Sequence, residues 1–155
     1  MNAVVALLAA ASMLAFAGTA GAQDNAQPSA APQEEPYQPS LSDIMAHQQE
    51  RHTKLWFAGH TGNWPLANYE IGELDDGFDD VGKMLGGDIV KQHVGTALDA
   101  LQKAVDAKDS AAFAAAYDQL SAGCNACHHT LDHAFIVIAR PTVLPYSDQV
   151  FSPPK

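Results

Sequence analysis

Prolines are almost absent from the middle of this chain. Between residues 41 and 139 the sequence has only Pro65, whereas residues 23–40 hold four of the nine prolines in the 155-residue chain. Over the proline-poor stretch the large apolar side chains recur every three or four positions, the spacing that places them on one face of an α-helix. No alternation typical of a β-strand appears before residue 134. The pattern predicts an all-α fold.

Capping residues and glycines divide the proline-poor stretch into four predicted helices. Each predicted helix begins at residues suited to its first turn: Ser40 or Ser42, Asn63-Trp64-Pro65, Asp88, and Asp109. The first helix extends to about Gly59, and Gly86-Gly87 ends the second. The connections are two to five residues long, which favours antiparallel neighbours. We therefore expect residues 41–133 to form an antiparallel up-down-up-down four-helix bundle.

The chain begins with an apolar segment that has the character of a secretion signal. Residues 3–22 read AVVALLAAASMLAFAGTAGA and end in a small-x-small pattern, although no Lys or Arg follows Met1. A membrane-spanning helix is the alternative, because the run is nearly long enough to span a bilayer. We expect residues 1–22 to be a cleaved signal peptide. Residues 23–40, rich in proline and poor in large apolar side chains, are predicted to be a disordered linker.

The charge and the cysteine content exclude several classes of protein. Eighteen acidic residues against eight basic ones give a net charge of −10, and no basic cluster could neutralise successive phosphates, so we expect no nucleic-acid partner. The two cysteines lie within four residues of each other, which rules out a long-range disulfide framework. Six acidic residues fall within residues 70–80 without a base among them, either a docking face for a basic redox partner or a solvated helix face.

The residues with the clearest chemistry form the sequence Cys-Asn-Ala-Cys-His at positions 124–128. This is the motif that attaches c-type haem: two thiols form thioethers with the porphyrin, and the adjacent imidazole binds the iron. We expect one covalent haem c at Cys124 and Cys127, with His128 as the proximal iron ligand. A redox CxxC pair would be expected at a helix N-terminus in a βαβ setting. A zinc site would need further ligands, and a local disulfide would form only without haem.

An exported chain of four helices with one haem motif near the end of the last helix resembles the cytochrome c-prime family and its low-spin relatives. The resemblance covers roughly residues 41–133. It implies that Cys124 and Cys127 are the thioether residues and that His128 is the proximal ligand. Members of the family differ on the distal side of the haem, where some have an apolar residue of the first helix and others a methionine. The resemblance also leaves open a homodimer formed through the first two helices.

The first predicted helix offers two residues for the sixth coordination position of the iron. Met45 and His52 lie one heptad apart on the same stripe, beside the late part of an antiparallel fourth helix. His52 would give a bis-histidine iron of low potential, and Met45 would raise the potential. Each residue also has a plain structural interpretation. Met45 can fill the core, and His52 can be a hydrogen-bonded imidazole at the core edge.

The sequence therefore predicts a periplasmic electron-transfer protein, processed from its signal peptide and without stable membrane insertion. Its partners would be periplasmic redox donor and acceptor proteins. The alternative is the binding or sensing of a diatomic gas, NO or CO, at an open distal site. An enzymatic role is not expected, because no positioned acid-base pair stands out. The apolar residues of the C-terminal tail, residues 134–155, are expected to pack back on the bundle rather than remain in water.

Overall fold

The computed structural model describes residues 37–155, and the predicted signal peptide and residues 23–36 of the predicted linker lie outside the described residues. This part of the chain folds into four α-helices and contains no strand. Each helix packs against its neighbour in the sequence, and α1 also contacts α4, which closes the ring. The predicted all-α four-helix bundle is confirmed. The helices are α1 (Leu41–His60), α2 (Trp64–Leu85), α3 (Ile89–Ala107) and α4 (Ser110–Thr130).

The capping side chains predicted for α1 and α4 are confirmed, and the structure adds Asn63 as the cap of α2. Side-chain oxygens of Ser40, Asn63 and Asp109 accept hydrogen bonds from backbone N–H groups in the first turns of α1, α2 and α4. Asp88 holds the N-cap position of α3 but its side chain makes no capping hydrogen bond, so that cap was predicted wrongly. Gly86 ends α2 in the left-handed conformation, with φ of 75°, which a glycine adopts without strain.

Aromatic side chains fill one end of the bundle. Trp56, Phe113 and Tyr117 are buried where α1 ends and α4 begins, and the Trp56 ring lies 5.1 Å from the Tyr117 ring, centroid to centroid. Trp64 meets Phe113 edge to face at 6.1 Å. Gly59 makes this packing possible, because a Cβ atom there would overlap the Phe113 ring. This end of the bundle is closed, which leaves the opposite end to hold a site.

The C-terminal tail leaves α4 and returns along the bundle without forming a helix or a strand. Arg140 pairs with Asp118 of α4 at 2.6 Å, and its guanidinium lies 4.2 Å from the centre of the Trp56 ring. Farther on, the Thr61 hydroxyl donates to the Phe151 carbonyl at 2.6 Å, and the Phe151 side chain is buried. The tail therefore reaches the aromatic end.

Several apolar side chains of the tail stay in water. Phe135, Val137, Val143 and Val150 are each more than 70% exposed. The expectation that the tail would withdraw its apolar residues from solvent is wrong for these four positions. The physical reason is that the tail is a single irregular segment, and such a segment can pack only some of its side chains against the bundle. None of the helices within residues 37–155 combines the length and the apolar character that crossing a membrane requires.

Candidate functional site

A cavity of about 750 Å³ opens at the end of the bundle opposite the aromatic cluster. Its volume falls in the range of small-molecule and cofactor sites. It lies between the first half of α1, the second half of α2, the start of α3 and the end of α4, with part of the tail as a further wall. The side chains that line it are mostly aliphatic, and they include Leu41, Met45, His52, Leu74, Phe78, Val81, Val90, Val94, Leu120, Cys124, Cys127, His128, Ile136 and Ile138.

Both cysteines of the motif are free thiols on the wall of this cavity. Burial raises the pKa of Cys124 to about 12 and also raises the pKa of Cys127, because an apolar environment disfavours the thiolate. A redox-active CxxC pair has the opposite environment, in which a helix N-terminus or a cation lowers the thiol pKa. The two thiols are therefore protected, neutral groups that face an apolar space.

The hydrogen bonding of His128 determines which of its ring nitrogens carries the proton. Nδ1 lies 2.9 Å from the backbone carbonyl oxygen of Ile136. A carbonyl can only accept, so Nδ1 carries a proton, and in the neutral imidazole Nε2 is then the nitrogen with the free lone pair. A second bond, from the His133 N–H to the His128 carbonyl at 2.7 Å, turns the chain so that the tail comes back to the ring. His128 thus has a fixed tautomer and one nitrogen suited to binding a metal.

His52 lies in a buried network in which both of its ring nitrogens have partners. Nε2 is 2.9 Å from Ser121 Oγ, and Nδ1 is 2.8 Å from the Tyr117 hydroxyl. The same two hydroxyls also contact backbone carbonyls: Ser121 Oγ lies 3.1 Å from the Tyr117 carbonyl oxygen and Tyr117 Oη lies 2.8 Å from the His52 carbonyl oxygen, so both side chains tie the ring to the backbone. Burial lowers the pKa of His52 to about 4, which keeps the ring neutral. His52 is therefore held as a hydrogen-bonded structural group.

Met45 reaches the same cavity in a different setting. It is partly buried, packs against the core, and lies on the cavity wall. The bond between His52 and Ser121 fixes the register of α1 against α4. Met45 precedes His52 by seven residues and His128 follows Ser121 by seven, about 10 Å along each antiparallel helix. Met45 and His128 are therefore level with each other.

The acidic run of α2 is largely occupied by ion pairs within the protein. Asp79 pairs with Lys91, Asp80 with Lys83, and Glu73 with Arg51, at distances of 2.7 to 2.9 Å. A fourth member, Glu70, is buried. Only Asp75 and Asp76 are left as exposed members of the run without such a pair among residues 37–155. The interpretation as a solvated helix face fits these contacts better than a dedicated docking face.

Two residues that shape the site were not singled out from the sequence. Ser121 anchors His52, and the side chain of Asn125 makes two hydrogen bonds to the backbone of Ile138 in the tail. Both partnerships join positions that no local pattern connects. The only signal in the sequence was the position of Asn125 between the two cysteines, which places its side chain next to the site.

Comparison with known proteins adds no relative. No protein-family model matches the chain, and neither a curated protein nor a solved structure with significant similarity was found.

Proposed function

We propose that this protein is an exported c-type cytochrome that carries one haem, bound covalently through Cys124 and Cys127, and transfers single electrons. His128 would be the proximal iron ligand. When bound, the haem supplies a reversible Fe(III)/Fe(II) couple. The protein contributes the ligands, the apolar surroundings and the hydrogen bonds that set the potential.

The residues present fit such a group. A flat, apolar macrocycle needs an apolar cavity, and the cavity of about 750 Å³ is walled mainly by aliphatic side chains. The observation that carries the proposal is the bond from His128 Nδ1–H to the Ile136 carbonyl at 2.9 Å, on the same wall as both free thiols. It leaves Nε2 as the nitrogen for binding a metal. It is also the hydrogen bond that a metal-bound histidine almost always donates through its other ring nitrogen.

Met45 is the residue we propose for the sixth coordination position. Its thioether sulfur has no competing hydrogen bond among residues 37–155, and it is level with His128 across the cavity. His52, the other residue that the sequence offered, would have to give up its bonds to Ser121 and Tyr117 to reach an iron. Two axial ligands would close the iron to exogenous molecules, which suits electron transfer rather than gas binding.

The predicted signal peptide and the acidic composition support a periplasmic setting and redox partners that carry basic surfaces. The net charge of −10 would speed the association of a basic donor or acceptor protein. Such partners belong to the proposal, as does the absence of stable membrane insertion after processing.

Absorption spectra test this function directly. Protein produced in an export-competent host should show a six-coordinate low-spin ferric spectrum, undergo reversible one-electron reduction, and show no spectral change when CO is added to the reduced form. A high-spin spectrum that shifts with CO would contradict the electron-transfer role and favour the binding of a diatomic gas.

A further inference from the structure

The side chain of Asn125 forms two hydrogen bonds with the tail. Asn125 follows the first cysteine of the motif. The Ile138 N–H donates to Asn125 Oδ1 at 2.7 Å, and Asn125 Nδ2 donates to the Ile138 carbonyl at 2.9 Å. One side-chain amide thus satisfies both backbone polar groups of one tail residue, as a neighbouring β-strand would. We call this pair of hydrogen bonds the Asn125 bracket.

The bracket lies next to the acceptor of the His128 hydrogen bond. Ile136, whose carbonyl accepts from His128 Nδ1, is two residues before Ile138 in the same irregular segment. Asn125 and His128 are three residues apart on α4, so their side chains lie on the same side of the helix. The tail segment 136–138 is therefore attached to the end of α4 at two neighbouring points, and one of them is the imidazole proposed to bind iron.

We propose that Asn125 is a positioning residue for the proximal histidine, because it holds segment 136–138 where the Ile136 carbonyl accepts the His128 Nδ1 proton. This inference rests on the proposed function. The carbonyl belongs to a tail segment without helix or sheet hydrogen bonds, and one hydrogen bond from an imidazole holds such a segment only weakly. The Asn125 bracket adds two more hydrogen bonds at Ile138, two residues farther along the tail.

The bracket should affect the redox couple through His128. A firm acceptor for Nδ1–H makes the imidazole a more basic ligand, which favours the ferric iron and lowers the midpoint potential. Without the bracket, water competes for the Nδ1 proton and the average hydrogen bond weakens. The tail stays on the bundle, because Arg140 still pairs with Asp118 and Phe151 is still buried. The change is therefore confined to the proximal side of the site.

Two substitutions break the bracket from opposite sides. Asn125→Ala removes the side-chain amide from α4, and Ile138→Pro removes the N–H that donates to it while leaving an apolar side chain at the cavity wall. Gln119→Ala, an exposed amide on the same helix, is the matched control. Each full-length processed protein is examined by hydrogen exchange of peptides covering residues 134–140 and by a potentiometric titration.

Both bracket variants should exchange the segment faster than the wild type and shift the midpoint potential to more positive values, and the control should change neither. Unchanged exchange in Asn125→Ala would overturn the bracket itself. Faster exchange with an unchanged midpoint potential would overturn the positioning role and leave Asn125 as a tail anchor only. Failure of the proposed function is seen separately, as the absence of haem from the wild-type protein.

Discussion

The 2.9 Å hydrogen bond between His52 Nε2 and Ser121 Oγ sets the register of α1 against α4. It occupies one ring nitrogen of His52, and it places Met45 level with His128, about two helical turns farther from the aromatic end of the bundle. One buried contact thus bears on both residues that the sequence offered as distal ligands. In our proposal it keeps His52 away from the iron and leaves Met45 as the sixth ligand.

The first prediction concerns Met45. Met45→Ala should convert the low-spin ferric spectrum to a high-spin one and allow the reduced protein to bind CO, because the thioether no longer fills the sixth position. Met84→Ala, a half-exposed methionine on α2, is the control and should leave the spectrum unchanged. A low-spin Met45→Ala protein would disprove the distal assignment, and a high-spin His52→Ala protein would point to His52 instead.

The second prediction concerns the pH dependence that His52 confers on stability. The pKa of His52 falls to about 4 in the folded protein, from an ordinary value of about 6.5, through burial. Between these values the unfolded chain binds more protons, so the free energy of unfolding falls as the pH drops from 6.5 towards 4, by up to about 3 kcal/mol. Urea denaturation across this range should show a smaller pH slope for His52→Gln. His47→Gln, exposed on the same helix, should keep the wild-type slope; equal slopes in all three proteins would contradict the prediction.

The third prediction has the opposite sign and concerns Glu70. Burial raises its pKa from an ordinary 4.5 to about 7, although Lys54 and Arg51 oppose the shift and Glu73 and Glu50 reinforce it. Between pH 4.5 and 7 Glu70 is protonated in the folded protein but ionised in the unfolded chain. The free energy of unfolding therefore falls as the pH rises through this range.

Glu70→Gln should therefore have a free energy of unfolding about 2 to 3 kcal/mol higher than that of the wild type at pH 8, measured by urea denaturation, and should differ little at pH 4. Asp76→Asn, at an exposed position of the same helix, should have little effect on stability at either pH. A Glu70→Gln protein that is less stable than the wild type at pH 8 would show that the attraction of Lys54 and Arg51 for the Glu70 carboxylate outweighs the cost of its burial.

The fourth prediction concerns the contact between α3 and α4 beside the cavity. A Cβ atom on Gly123 would overlap the carbonyl oxygen of His93, which is backbone and cannot swing aside. Gly123→Ala should lower the free energy of unfolding by about 1 to 3 kcal/mol. Gly72→Ala meets nothing within 4 Å and should raise it by up to about 1 kcal/mol through helix propensity. Equal effects of the two substitutions would contradict this packing.

Local patterns were enough to predict the four helices and most of their ends. Apolar spacing, the caps at Ser40, Asn63 and Asp109, and Gly86 all act within a few residues, where sequence and structure are directly linked. Asp88 was the exception, because an Asp can occupy the N-cap position without making the bond. The motif at residues 124–128 likewise placed three of its residues on the cavity.

The second layer of the site could not be predicted in this way. Ser121 meets His52 from 69 residues away, and Asn125 meets Ile138 after the chain has turned back on itself. Such pairings depend on the register of packed helices and on the path of an irregular tail, which no periodic pattern encodes. The exposed tail residues show the same limit, since apolar character alone does not reveal which side chains find a surface to cover.

The haem proposed at Cys124 and Cys127 is tested most directly by intact-mass analysis of the protein matured in an export-competent host. We expect the mass of the processed polypeptide plus one haem, and the mass of the bare polypeptide when both cysteines are replaced by alanine. A wild-type protein with the mass of the polypeptide alone, in a host that attaches haem to a known c-type cytochrome in parallel, would contradict the central claim.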